Sequence, residues 1–347
     1  MGGVVTGSSG DGGQCERPGA GVTLQVSLAP TDLPHARHIL PHQLAQWAGQ
    51  VDEILLTLDL HRSGGRFAEA WAERLPGMRR LVEDACAEYP KARLSEVDYS
   101  PRTAAEIGAR FFGGASVPAK DWNGGPFYSY FFGLNAAASD YVFHLDSDMM
   151  FGGGSRTWVA EAVQLLRERP DVLACSPLPG PPRPDGRLPS QGRGDLPRET
   201  VEPHPSPAFR FPHLSSRLFL MDLRRFETAI GRLPLTRPPR IRKLQARLRH
   251  NPPYDLPEAI LSEAMRAHSL FRVDFLGAAP GMWSIHPPYR SAEFYAALPT
   301  LIERVVAGDV PAEQRGDHDV NDSMVDWSSA RAAQRRWWKP IVRLLTR

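Results

Sequence analysis

Short apolar runs alternate with helical stretches along this chain, and that alternation narrows its fold more than any other feature. Val22–Leu28 and Val51–Leu58 have the apolar and β-branched content of buried strands, with a helical stretch over residues 35–49 between them. Phe67–Tyr89 reads as a helix interrupted at Pro76-Gly77, and Arg93–Val97 as a short strand. A helix over Phe127–Ala138 leads into an aromatic, β-branched strand, Asp140–Leu145. An amphipathic helix, Thr157–Glu168, stops at Pro170 and leads into Val172–Ser176. Later strands are expected at Arg217–Asp222, Phe271–Leu276 and Trp283–His286, and a helix at Pro257–His268. This order predicts an α/β fold, with a mostly parallel central sheet flanked by helices.

Between these elements the texture differs. Residues 1–20 begin with a Gly/Ser-rich stretch and read as a disordered tail. Pro101–Pro126 is loop-rich, and Pro177–Pro207 holds ten prolines in 31 residues. Proline removes a backbone donor and fixes φ, so no regular element is expected in that insert loop. The 30 Gly and 33 Pro therefore mark loops on a compact sheet, because 42% hydrophobic and 23% charged residues exclude wholesale disorder. Residues 21–290 form the expected main domain, and 291–347 a C-terminal helical extension with a basic amphipathic tail. A net charge of +2 names no partner. Three cysteines without a CxxC spacing argue against a disulfide scaffold and a cysteine zinc site. No signal peptide and no apolar run of about 20 residues is found, so a cytoplasmic protein is expected.

Asp146-Ser147-Asp148 carries the chemistry. It follows an apolar strand directly, and ligands of open α/β sheets bind beyond the carboxyl ends of strands. Two carboxylates projected there repel each other, and a divalent cation relieves both the repulsion and the loss of water. Hard Mg²⁺ or Mn²⁺ keeps one or two protein carboxylates and completes its shell with water and phosphate oxygens. The motif therefore reads as a metal clip for a nucleotide diphosphate. A second DxD, Asp317-His318-Asp319, lies in a polar stretch near Asp322 and reads as a solvated loop.

Val22–His286 resembles the GT-A-fold glycosyltransferases, closest in pattern to the family 2 type. The residues that carry the likeness are Pro30-Thr31 after the first strand, Asp59 after the second, and Asn135 within Gly133-Leu-Asn-Ala136. They continue with the strand–DSD unit, Glu258, and His286 after the last core strand. The second strand keeps one acid where the family usually has two, and Glu258 is followed by Ala259 rather than a second acid.

The resemblance implies a metal-dependent transfer of sugar from a nucleotide-diphosphate donor, a UDP- or GDP-sugar, to an acceptor hydroxyl with inversion. It places Pro30, Thr31 and Asp59 at the base and ribose, with Asn135 reaching the nucleotide or holding a loop. Asp146 would face the ribose or a metal-bound water. Asp148 and His286 would ligate Mn²⁺ or Mg²⁺, with Asp146 completing the metal set. Glu258 would be the general base, with Glu263, Asp255 and Asp222 as rivals. The segment Lys120–Pro126 offers Lys, Asp and Trp beside a Gly pair for contact with donor phosphate or a sugar face.

Two basic segments remain. Arg232–Arg249 holds seven basic residues and no acid; Arg331–Arg347 holds six and no acid, with Trp337, Trp338, Ile341, Val342, Leu344 and Leu345 on one helical face. The second pattern is that of an interfacial helix for an anionic membrane surface, or of a helix docked on the protein's own core. No nucleic-acid motif accompanies either segment. Two other functions compete with the transferase. A sugar-phosphate nucleotidyltransferase would need a Gly-rich phosphate loop where Leu28–Asp32 stands. The other is a catalytically degenerate scaffold that binds a membrane or a partner.

Overall fold

The computed structural model describes residues 21–62, 69–188, 199–201 and 204–334. Nine strands form the main path of the sheet, in the order β3-β2-β1-β4-β9-β6-β10-β8-β7. They are β1 (Val22–Leu28), β2 (Glu53–Leu58), β3 (Ala92–Glu96), β4 (Tyr141–Asp146), β6 (Val172–Pro179), β7 (Glu199–Val201), β8 (His204–Phe211), β9 (Leu218–Asp222) and β10 (Phe271–Phe275). β5 (Met150–Gly152) and β11 (Trp283–Ile285) pair off this path. From β3 to β10 only β9 opposes its neighbours, running antiparallel to β4 and β6. The expected α/β sheet flanked by helices is present, and β8 and β7 add an antiparallel edge.

Side-chain alternation explains why both faces are covered. Ile54, Leu56 and Leu58 of β2 belong to one apolar cluster, whereas Leu55 belongs to another. The first cluster takes in α1 (Leu33–Trp47), α2 (Trp71–Glu88) and α5 (Trp158–Glu168). The second takes in α3 (Pro101–Phe112), α4 (Tyr128–Ala136) and α8 (Pro257–Ala267). A short turn, α6 (Leu223–Arg225), and a basic helix, α7 (Arg240–Leu248), lie between β9 and α8. α9 (Ala292–Ala307) buries Phe294, Leu298 and Leu301 with Trp327, Ile39 and Met150, so the segment after residue 290 shares a core with α1 and β5.

Three expectations are corrected. Pro101–Pro126 is not all loop, because α3 fills its first half. Ser100 caps that helix, accepting from the Thr103 N–H; Pro101 occupies its first turn, and Gly113 ends it at φ 61°. Those are ordinary start and stop signals, outweighed in reading by the Gly-rich text that follows. α2 is not interrupted at Pro76-Gly77 but continues through it, as α1 does through Pro41. The proline-rich insert does hold regular structure: β6 extends to Pro179, and β7 with the first half of β8 falls inside residues 177–207. β7 and β8 are at and next to the sheet edge, where a missing donor is tolerated. Residues 1–20 and the tail from 335 lie outside the described residues.

The core is aromatic. Trp158 is fully buried, stacks on Phe275 at 5.0 Å, meets Trp47 edge-on at 5.9 Å, and donates from Nε1 to the Phe275 carbonyl at 3.1 Å. Trp158→Ala should lower the unfolding free energy by about 3–5 kcal/mol, read as a lower denaturant midpoint at unchanged slope. A change under about 1 kcal/mol would contradict this packing.

Candidate functional site at the carboxyl edge of the sheet

β1 and β4 run parallel, with Ser27 in register with Asp146, so the loops after both strands emerge at one edge of the sheet. After β1, Pro30–Asp32 form a 3₁₀ turn, and Asp32 accepts from the Ala29 N–H at 3.0 Å. After β4, the Asp146–Met149 turn is held by α1. Gln43 Nε2 donates to the carbonyls of Asp146 (2.9 Å) and Met149 (3.0 Å). His35 Nε2 lies 3.0 Å from Ser147 Oγ, and His42 Nε2 accepts from the Phe151 N–H at 2.9 Å. Four contacts from one helix thus hold the DSD turn and the start of the strand after it.

Arg290 ties the two loops together. Its Nε and Nη2 donate to Asp148 Oδ2 at 3.2 and 2.9 Å, and its Nη1 to Asp32 Oδ1 at 2.9 Å. Burial opposes ionisation of Asp148, but the Arg290 charge, helped by His286 and His35, holds its carboxyl well below the usual range. Burial raises the Asp146 carboxyl, and His144, 3.6 Å away, pulls it the other way. His144 Nδ1 contacts Gln25 Oε1, and Gln25 Nε2 donates to Thr57 Oγ1 at 2.7 Å. A buried polar row therefore crosses β2, β1 and β4 beneath Asp146.

Asp59 is saturated. Its Oδ2 accepts from Lys120 Nζ at 2.8 Å, and its Oδ1 from Tyr99 Oη (3.0 Å) and the His61 N–H (2.9 Å). Lys120 is thereby brought to the edge from the segment before α4. Glu258, in the first turn of α8, accepts at Oε2 from the Ser216 N–H (3.0 Å) and Oγ (3.2 Å). The adjoining Arg217 carbonyl accepts from the Asp146 N–H at 2.8 Å, so Glu258 stands at the same edge as the DSD turn. Pro30, Thr31, Asp59, Asp146, Asp148 and Glu258 are thus gathered. Asn135 is not. It sits in the last turn of α4, at the amino end of the strands, and its Oδ1 accepts from Arg110 Nη1 at 3.2 Å.

His286 is positioned by a segment that reads as a solvated loop. Its N–H donates to the His318 carbonyl at 3.0 Å, and its carbonyl accepts from the Val320 N–H at 2.9 Å. Gln314 Nε2 donates to the carbonyls of Asp317 (2.9 Å) and Asp319 (3.0 Å). Gly180, at φ 92°, lets the segment pack close, because a Cβ there would stand 2.5 Å from the Asp317 carbonyl oxygen. The second DxD is therefore pinned against the site, which corrects the solvated-loop expectation.

These residues bear on where a cation fits. His286 is 4% exposed, and its Nδ1 lies 2.8 Å from Asp319 Oδ1; both atoms are buried and lack a hydrogen bond of good geometry. At that distance Nδ1 donates to the carboxylate when it carries the imidazole proton, and offers a lone pair beside it when it does not. With His318 the two residues form a group whose ligand atoms all lie within 4.8 Å of one another. That donor set fits a divalent cation. Both Arg290 bonds to Asp148 fall on Oδ2, so a cation at Asp148 would take Oδ1 or displace the guanidinium. Arg290, Asp32, His318 and Asp319 are the site residues that sequence reasoning left without a role or misplaced, and it gave no sign that Lys120 pairs with Asp59. They come from segments far apart in the chain, and no local spacing pairs them.

No protein-family model matches the chain, and no curated protein matches it. Among solved structures it is similar to S. aureus TarS 1–349, at 10% identity and TM-score 0.38, covering 85% of this chain and 68% of that one. It is also similar to the mannosyltransferase PcManGT from Pyrobaculum calidifontis in complex with GDP-Man and Mn²⁺, at 14% identity and TM-score 0.32, covering 72% of each chain. A third is the galactosyltransferase LgtC with donor and acceptor sugar analogues, at 10% identity and TM-score 0.27, covering 59% of each chain. Likenesses of this size do not fix an activity.

The α1 clamp makes a pH prediction. Burial lowers the His42 pKa from 6.5 to about 4. The unfolded chain therefore takes up a proton at His42 between those values while the folded chain does not, so this contribution is present above pH 6.5 and lost as pH falls toward 4. Between pH 7 and 4.5 wild type should lose about 2–3 kcal/mol more unfolding free energy than His42→Gln. Equal losses in chemical denaturation at the two pH values would contradict the buried, neutral His42.

Proposed function

We propose that this protein is a glycosyltransferase that moves a sugar from a nucleotide-diphosphate donor to an acceptor hydroxyl with inversion, using Mn²⁺ or Mg²⁺. The observation that carries the reading is the DSD turn at the carboxyl end of β4, clamped by α1 and joined through Arg290 to the turn after β1. That is the edge where an open α/β sheet binds its ligand, and Arg290 and Lys120, with a cation on the carboxylates, would meet the charge of a diphosphate.

Pro30, Thr31 and Asp59 line the pocket for base and ribose. Lys120 Nζ, now on Asp59, is close enough to the edge to serve an anionic donor instead. Arg290 turns part of its guanidinium from Asp148 to the phosphate oxygens, which frees Asp148 for the cation. A cation would be held by Asp148 and His286, with Asp146 beside them and with His318 and Asp319, whose ligand atoms lie close to that of His286, as further ligands. When bound it neutralises charge on the departing diphosphate. Glu258 takes the proton from the acceptor hydroxyl. The acceptor oxygen bonds to the anomeric carbon as the bond to the diphosphate oxygen breaks, and the nucleoside diphosphate leaves with that electron pair. Ser216 orients Glu258 through Oε2.

Incubation with a panel of UDP- and GDP-sugars should give donor hydrolysis that needs Mn²⁺ or Mg²⁺ and stops with chelator. Asp148→Ala should lower it by about 100-fold or more, and His318→Ala should raise the Mn²⁺ concentration needed for half-maximal rate by about 10-fold. Hydrolysis indifferent to Asp148→Ala, or none with any donor, would contradict the reading. Pyrophosphate release from a nucleoside triphosphate and a sugar phosphate would favour a nucleotidyltransferase.

A further inference from the structure

The basic helix α7 stands outside everything described so far. Its sequence, Arg-Ile-Arg-Lys-Leu-Gln-Ala-Arg-Leu, begins at Arg240. Ile241, Leu244 and Leu248 are 75%, 58% and 73% exposed; among the described residues only Val306 of α9, alone on its helix at 61%, is a comparably exposed large apolar side chain. Their spacing of three and four residues puts them on one side of the helix. Ala246, 0% exposed, lies on the opposite side and seats α7 on the protein. The apolar stripe therefore points straight away from the core. Arg240, Lys243 and Arg247 flank it, and no acid occurs between residues 232 and 249.

We propose that α7 is a membrane-docking helix that lays Ile241, Leu244 and Leu248 into an anionic lipid surface while Arg240, Lys243 and Arg247 bind the headgroups. An apolar stripe with a cationic flank is the pattern of a helix that lies in the interface plane. Nucleic acid would use the charges and leave the stripe in water. The protein's own C-terminal tail is itself basic, with no acid from 335 to 347, and so does not complement α7. A second copy would bring like charges together.

α7 is also fastened to the candidate site. Arg242 lies over the Trp122 ring at 5.2 Å, and Arg249 Nη1 donates to Asn123 Oδ1 at 2.7 Å. The same segment carries Lys120, which pairs with Asp59. A docked α7 would therefore hold this side of the site close to the bilayer, where a lipid-borne acceptor is presented. That last clause rests on the glycosyltransferase reading; the docking does not.

The test is co-sedimentation of the full chain with vesicles of phosphatidylcholine alone or with 30% phosphatidylglycerol. The triple variant Ile241→Ser, Leu244→Ser, Leu248→Ser changes only exposed side chains, and its fold is checked by circular dichroism. Wild type should bind the anionic vesicles, and the variant should bind about 10-fold or more weakly. Equal binding by the two proteins, or no binding by wild type, would overturn the proposal. So would concentration-dependent dimerisation abolished by the same triple variant, or double-stranded DNA binding that exceeds vesicle binding. Vesicle binding without donor hydrolysis would leave α7 as proposed and remove only the transferase reading.

Discussion

Asp32, Asp146 and Asp148 converge on the carboxyl edge of the sheet from two separate loops, and a partly protein-enclosed edge does not hold three carboxylates without counter-charge. Arg290 supplies it, bonding Asp32 with one nitrogen and Asp148 with two. The guanidinium is partly exposed, so the charge that stabilises the edge is also within reach of a ligand. The placement of the loops after β1 and β4, and the ionised state of Asp148, follow from this bridge. An anion such as a diphosphate would compete for the guanidinium, and a cation for the carboxylates. Under the proposed function, donor and metal binding would then be one exchange of partners rather than two additions.

The edge is rigid where chemistry needs it to be. α1 holds the DSD turn through His35, His42 and Gln43, and the buried row Thr57–Gln25–His144 supports Asp146 from below. Each of these polar groups is enclosed, so each must be matched or it costs stability. On the far side, His286, His318 and Asp319 are brought together by backbone bonds between residue 286 and the 318–320 segment. Preorganisation thus comes from both the first helix and a late loop.

Much of the fold was legible because strands leave strong local marks. β1 coincides with the expected run, Val22–Leu28, and β4, β6 and β10 lie within a few residues of theirs. Proline and glycine misled where tertiary position overrode local preference. α3 hid before a Gly-rich stretch, and β7 and β8 hid in proline-rich text at the sheet edge. The sequence pattern led to the carboxyl edge as far as strand ends reach, where the structure places Pro30, Thr31, Asp59, Asp146 and His286. Asn135 stands apart from these residues because a helix antiparallel to its strand puts its last turn at the amino end of the sheet. Arg290 and Lys120 were invisible as partners. Each is fixed by a long-range ion pair, 142 residues away for Arg290–Asp148 and 61 for Lys120–Asp59, and such pairing follows the fold rather than the local sequence. The Asp317–Asp319 loop was misread because polarity alone does not tell a solvated loop from one pressed onto a site.

Amide hydrogen exchange with and without UDP or GDP and Mn²⁺ tests most directly whether this edge is the donor site. Protection should rise at residues 29–32, 146–149 and 286–290, where backbone and side chains would close on the diphosphate. Protection that rises only elsewhere, or not at all with either nucleotide, would contradict it.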